Sequence, residues 1–298
     1  MELNKIYNED NLELMKIIPD NYISLIYCDI LYNTGNTFKT KNKEIAYIDK
    51  IGNAQDVNLF YEPRIIEMKR VLKETGNILL HCDYRVSPYI QILMDKIFGK
   101  SNMQDKIIWK KTETGKGAKS LKVLSKDYDE ILYYSKSPSP IANKLELPHN
   151  SISLQEFKYF DEERQQYFKI VNLGVYSKIS VEKMKEEGLI HTTRTGKEYK
   201  KYYLTDFKNN TISNIWVDCH NLYNGNNGEM NDYPTQKPKD LLERIIHMFS
   251  NEGDIVADFF CGSGTTLVMA KELGREYIGC DISSIAVNIT NERLNNIS

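Results

Sequence analysis

The run Cys261-Gly262-Ser263-Gly264-Thr265-Thr266-Leu267 constrains this chain more than any other segment. It follows the apolar stretch from Asp254 to Phe260 and leads into Val268-Met269-Ala270-Lys271-Glu272-Leu273 and Gly274. That order reads as strand, glycine turn, helix. Gly262 and Gly264 let backbone approach a ligand where a side chain would obstruct it. The first-turn N–H groups of the following helix point into the same space. The arrangement serves a nucleotide-like cofactor. A dinucleotide fingerprint puts a third glycine where Leu267 stands, and a Walker loop needs Gly-Lys-Ser/Thr where Gly264 is followed by Thr265. Both NAD and ATP are therefore disfavoured.

The next strand, Arg275 to Cys280, ends in Asp281, where a carboxylate accepts hydrogen bonds from both ribose hydroxyls. A free ribose diol without a phosphate grip describes S-adenosylmethionine. The glycines alone fit an ordinary α/β turn equally well, with Asp281 as a helix cap before Ser283-Ser284. With Asp258, Thr265-Thr266 and Asp281 all in register, the cofactor reading is the stronger.

The chain's 298 residues suffice for one large or two small domains with a buried core. No apolar run approaches the ~20 residues of a membrane helix, and Met1-Glu2-Leu3-Asn4-Lys5 lacks a signal-peptide layout. Cysteines at 28, 82, 219, 261 and 280 show no paired metal spacing. A cytoplasmic, reduced, metal-free chain with no membrane association is expected. The net charge of −2 excludes a protein that coats DNA with its whole surface, so nucleic acid must meet a local patch.

Asp10 precedes a helical pattern that stops at Pro19, and Ile23 to Cys28 is a buried strand ending at Asp29. A polar, lysine-rich loop then runs to about Asp56. An amphipathic helix is predicted over 59–73, a strand over 77–82, a helix through Ile90 to Gly99, and strands over 107–109 and 130–134. The alternation predicts an α/β chain with a mostly parallel sheet. It fails at Ser137-Pro138-Ser139-Pro140 and resumes after Asp232, so one α/β domain is expected to be split by a less regular insertion.

Three segments carry chemistry. Asp29-Ile30-Leu31-Tyr32 ends a strand, where open α/β sheets place ligands. The Asp29 carboxylate and Ile30 carbonyl suit the two N–H bonds of a planar amine, and Tyr32 its ring face. Taken alone, the tetrapeptide reads better as an Asx turn beside a surface tyrosine. Tyr233-Pro234-Thr235-Gln236-Lys237-Pro238 opens a helix and brings polar groups beside the glycine loop; a plain helix cap is the alternative. Lys106 to Lys126 sets lysines, hydroxyls and glycines around Trp109, and Lys110, Lys111, Lys116 and Lys119 are its candidate phosphate contacts. A solvated lysine-rich loop is the plainer reading.

Together these segments, in this order, resemble the β-class DNA amino-methyltransferases, which methylate adenine N6 or cytosine N4 with S-adenosylmethionine. The resemblance covers roughly residues 1–136 and 231–298. It implies a Rossmann-like methyltransferase core in two halves, 1–136 catalytic and 231–298 cofactor-binding, with a target-recognition insertion over 137–230. It further implies catalytic roles for Asp29, Ile30 and Tyr32. A cofactor pocket would be formed by Asp10, Asp29, Thr235, Gln236, Lys237, Asp258, Phe260, Gly262, Ser263, Gly264, Thr265 and Asp281. Double-stranded DNA is the implied partner; a homodimer and a cognate restriction enzyme stay open. A leading Asp leans towards adenine N6. The departure is at Ile30-Leu31, where the family has two prolines. Each lost proline loosens the empty loop by roughly 0.4–1 kcal/mol, which predicts a slower enzyme, or a relative that binds DNA without catalysis.

Overall fold

A computed structural model describes residues 1–111, 125–145, 156–206, 212–219, 222 and 229–297. The chain divides into two compact units, Met1–Leu145 with Ser213–Ser298, and Glu146–Ile212.

The first unit opens with β1 (Lys5–Tyr7), α1 (Asn11–Ile17) and β2 (Ile23–Asp29). Asp10 caps α1 by accepting the Leu12 N–H at 2.8 Å. The strands β3 (Asn36–Lys39) and β4 (Ile45–Asp49) follow, then α2 (Ala54–Val71), β5 (Leu72–Cys82), α3 (Ser87–Met94), β6 (Met103–Lys110) and β7 (Tyr128–Ser135). Asn53 and Asp56 close a reciprocal capping box on α2. In the second unit lie β8 (Tyr159–Asp161), β9 (Gln166–Asn172), α4 (Lys178–Glu186), β10 (Ile190–Thr192) and β11 (Glu198–Tyr203). The chain re-enters the first unit at β12 (Ile215–Trp216) and ends with α5 (Lys239–Phe249), β13 (Ile255–Asp258), α6 (Thr265–Glu272), β14 (Glu276–Cys280) and α7 (Ser284–Asn295).

The large sheet runs β1-β14-β13-β2-β5-β7-β6-β12. Every neighbouring pair is parallel except the two that involve β7. This is the mostly parallel sheet that the alternating pattern predicts, and the Rossmann-like core that the resemblance implies. β2 and β13 are buried from end to end apart from the half-buried Asp29, as strands covered on both faces must be.

Two local readings change. The predicted loop over 33–56 contains the hairpin of β3 and β4, held by Phe38 stacked on Tyr47 at 4.8 Å. Its strands are short and partly exposed, so their alternation is faint beside the surrounding lysines. Thr75-Gly76, between the helix predicted over 59–73 and the strand predicted over 77–82, lies inside β5, because α2 passes into that strand at Leu72. The second unit is a four-stranded antiparallel sheet in the order β10-β11-β9-β8. Its Asp161 accepts bonds from Lys201 and Tyr203 beside the buried Phe168. Residues 137–145 and 213–219 lie with the first unit, where Ile215 pairs with Ile108.

Candidate active site

β2, β13 and β14 lie side by side in the sheet, so the residues at their C-terminal ends, Asp29, Asp258 and Asp281, arrive at one edge. There they line a cavity of about 670 Å³. Asp10, Ile30, Tyr32, Thr235, Lys237, Phe260, Gly262, Ser263 and Thr265 line the same cavity.

Gln236 and Gly264 do not line it. The Gln236 amide braces its own loop, accepting the Asn231 N–H at 2.9 Å and donating to the Glu229 carbonyl at 2.8 Å. Gly264 has φ +73°, and a Cβ there would meet the Thr290 side chain at 2.2 Å. That glycine lets α6 start against α7. Gly262 does line the cavity. Its φ is +48°, and an added Cβ would press on the Tyr233 ring at 3.2 Å.

Each acid at this end has a defined environment. Asp258 accepts the Thr266 hydroxyl at 2.6 Å and the Phe260 N–H at 3.1 Å. Burial raises its carboxyl to about 7, against the pull of those two bonds. Asp281 accepts the Gly262 N–H at 2.9 Å and the Ser283 N–H at 2.9 Å, and burial pushes its carboxyl up as well. Asp10 accepts from Arg64 at 2.7 Å. Arg64 also donates to Asn11, whose amide in turn donates to the Phe259 carbonyl, so α1, α2 and the loop after β13 are tied together. Among the described residues the lining carries six acidic side chains, those of Glu9, Asp10, Asp29, Asp49, Asp258 and Asp281, against the two cations Arg64 and Lys237.

At the other end, Asp29 accepts the Tyr32 hydroxyl at 2.6 Å and pairs through its second oxygen with the Lys237 ammonium. The ammonium also lies 5.5 Å from the Tyr32 ring centre. Lys237, expected at the cofactor, thus sits on the expected acceptor of the reacting amine. Ile30 is buried, and its N–H donates to the His81 carbonyl at 3.3 Å.

Behind Tyr32 lies a buried polar row that sequence reasoning missed. The His81 ring is 6.3 Å from the Tyr32 ring at 30°. Its Nδ1 bonds the Tyr27 hydroxyl at 2.8 Å. Its Nε2 is 3.4 Å from Asp129, an ion-pair distance without hydrogen-bond geometry. Burial, then the charge of Lys237, lowers the imidazole's proton affinity, against the pull of Asp129. Burial works to raise Asp129, but His81, Lys111 and Lys237 together bring it down to about 2. Lys111, expected on phosphate, instead places its ammonium 2.6 Å from Asp129. Lys110 is exposed at the end of β6, while Lys116 and Lys119 lie outside the described residues.

The family model described as DNA methylase matches residues 23–292. The chain is 29% identical to the type II methyltransferase M.EcaI of Enterobacter cloacae, over 97% of this chain and 68% of that protein. It is 27% identical to the type II methyltransferase M.BamHI of Bacillus amyloliquefaciens, over 99% of this chain but only 58% of that protein. With the DNA adenine methyltransferase YhdJ of Escherichia coli K12 the identity is also 27%, over 98% of this chain and 83% of that one. Among solved structures, the M1.HpyAVI–SAM complex aligns with a TM-score of 0.57 at 19% identity, over 98% of both chains. The cytosine-N4-specific PvuII DNA methyltransferase aligns with a TM-score of 0.57 at 16% identity, over 100% of this chain and 89% of that one. These two likenesses establish the fold.

Proposed function

The chain belongs to the N6/N4 DNA methylase family, and on that premise we propose that it transfers a methyl group from S-adenosylmethionine to adenine N6 at specific sites in double-stranded DNA. The observation that carries this reading is the placement of Asp29 with Tyr32 on the cavity that the Gly262 turn and Asp281 also line. The cavity suits that cofactor on its own chemistry. Five carboxylates, besides the Asp258 carboxyl that titrates at about 7, against two cations favour a ligand bearing a sulfonium and an ammonium, and oppose a polyphosphate. The cofactor supplies a methyl group activated on a positively charged sulfur.

The chain's residues do the rest. The target base must leave the duplex, since pairing buries its amine, at a cost of a few kcal/mol. Tyr32 recovers part of that by stacking, worth about 1–3 kcal/mol. The Asp29 carboxylate and Ile30 carbonyl accept the two amine hydrogens and localise a lone pair otherwise spread into the ring. Positive charge that builds on the nitrogen then develops beside Asp29, so electrostatic stabilisation and alignment supply most of the rate. Before a base arrives, the Tyr32 hydroxyl and the Lys237 ammonium satisfy Asp29. Base entry exchanges the tyrosine bond for the amine bond.

Asp29, leading the tetrapeptide, and the likeness to an adenine methyltransferase over 98% of this chain support adenine over cytosine N4. Sequence-specific contacts are assigned to residues 137–230, and a restriction enzyme that reads the same site is the natural partner for a chain similar to type II methyltransferases. Asp29→Ala tests the central role. Methyl transfer is expected to vanish while DNA binding persists; full transfer by that variant would refute the assignment.

A further inference from the structure

The tetrapeptide's missing prolines have a structural counterpart in the loop that follows it. Asn33 adopts a left-handed backbone at φ +55°, which asparagine tolerates better than other side-chained residues. Three groups of hydrogen bonds brace the chain around it. Asp49, at the end of β4 and 3% exposed, accepts the Asn33 N–H at 2.8 Å, the Thr34 N–H at 3.0 Å and the Thr34 hydroxyl at 2.6 Å. The Asn33 side chain accepts the Ile51 N–H at 2.8 Å and donates to the Gly52 carbonyl at 2.6 Å. Tyr61 on α2, 1% exposed, donates its hydroxyl to the Leu31 carbonyl at 3.0 Å. On the strand side, the Ile30 N–H, which a proline would lack, donates to His81.

We propose that Asp49 and Tyr61 are positioning residues, which hold residues 29–34 in their reactive arrangement by hydrogen bonds in place of proline rigidity. The hairpin of β3 and β4 then has a purpose: it delivers a buried carboxylate to the two N–H groups just past Tyr32. Neither residue touches the amine. They act through the backbone that carries Asp29, the Ile30 carbonyl and Tyr32. The inference rests on the methyltransferase reading for its kinetic arm and on the loop alone for its second arm.

The test is the pair Asp49→Ala and Tyr61→Phe, the latter removing a single hydroxyl. Each is expected to lower kcat by at least about tenfold through misplacement of the reacting groups, with the dissociation constant for S-adenosylmethionine unchanged in Tyr61→Phe and, in Asp49→Ala, which also removes a lining charge, raised by much less than the rate falls. Leu31→Pro keeps the Leu31 carbonyl and the Ile30 N–H, and is expected to restore a larger share of the rate to Asp49→Ala than it adds to the natural chain. Hydrogen exchange of the peptide spanning residues 29–36 gives the independent arm, with protection in the natural chain that is lost in Asp49→Ala. Natural rates in both variants would overturn the proposal. So would a loss of cofactor affinity matching the loss of rate, or equal exchange in the natural chain and Asp49→Ala. A natural chain that transfers no methyl group yet shows the protection and its loss would overturn the methyltransferase reading and leave the positioning role standing.

Discussion

Asp29 and Tyr32 are bonded to each other at 2.6 Å, so the tyrosine has two separable functions, a hydroxyl that occupies Asp29 and a ring that stacks. Tyr32→Phe removes only the first and is expected to keep methyl transfer within a few-fold of the natural rate. Tyr32→Ala removes both and should lose stacking worth about 1–3 kcal/mol, a rate loss of roughly 10- to 100-fold. Equal losses in steady-state rate would assign the role to the hydroxyl. Asp258 makes a prediction in pH. Its buried carboxyl titrates at about 7 against 3.8 for the free group, so the native chain holds a proton that the unfolded chain has already released. Stability from this group is therefore full below about pH 4 and is lost as pH rises through about 7. Melting of the ligand-free protein between about pH 5 and about pH 8 should show that decline, and Asp258→Asn should flatten it. An unchanged slope would mean that Asp258 stays ionised.

These same residues mark what a sequence can reveal. Asp29, Asp258 and Asp281 are legible because each ends an apolar strand and faces a turn, a local pattern. Arg64, Asn11, His81 and Asp129 are not, since each acquires meaning only from a partner distant in the chain: Arg64 donates to Asn11 53 residues away, and Tyr27 bonds His81 54 residues away. Lys237 was legible as a polar group near the cavity, but its partner, Asp29, is 208 residues away.

At the scale of elements, the strand, turn and helix around Gly262 follow the local pattern, whereas the β3–β4 hairpin hides in a lysine-rich stretch. Its only signal is the apolar run Ile45-Ala46-Tyr47-Ile48, which does not alternate: Ala46 is buried while Ile45 and Ile48 are exposed. The two glycines of the turn, read alike from sequence, separate in the structure. Gly264→Ala forces a Cβ to within 2.2 Å of Thr290 at a left-handed φ. It is expected to destabilise the fold by about 1–3 kcal/mol in denaturant unfolding. Gly262→Ala carries the same left-handed strain but meets only the Tyr233 ring, at 3.2 Å, so its distinguishing loss is expected in S-adenosylmethionine affinity, measured by titration calorimetry. Reversed effects would exchange the two assignments.

For the whole molecule, a net charge of −2 and a cavity rich in carboxylates confine DNA attraction to local lysines. Lys111 is engaged with Asp129, and Lys110, together with Lys116 and Lys119 outside the described residues, are the proposed phosphate contacts of this segment. Replacing Lys116 and Lys119 by Ala should weaken DNA binding and flatten its log–log salt dependence by about 2. An unchanged slope would move the DNA path elsewhere. Methyl transfer from labelled S-adenosylmethionine to unmethylated DNA, followed by nucleoside analysis of the product, tests the central claim most directly. N6-methyladenine formed by the natural chain and absent with Asp29→Ala is the predicted result. N4-methylcytosine would contradict the base assignment, and no transfer with cofactor binding intact would contradict the enzyme.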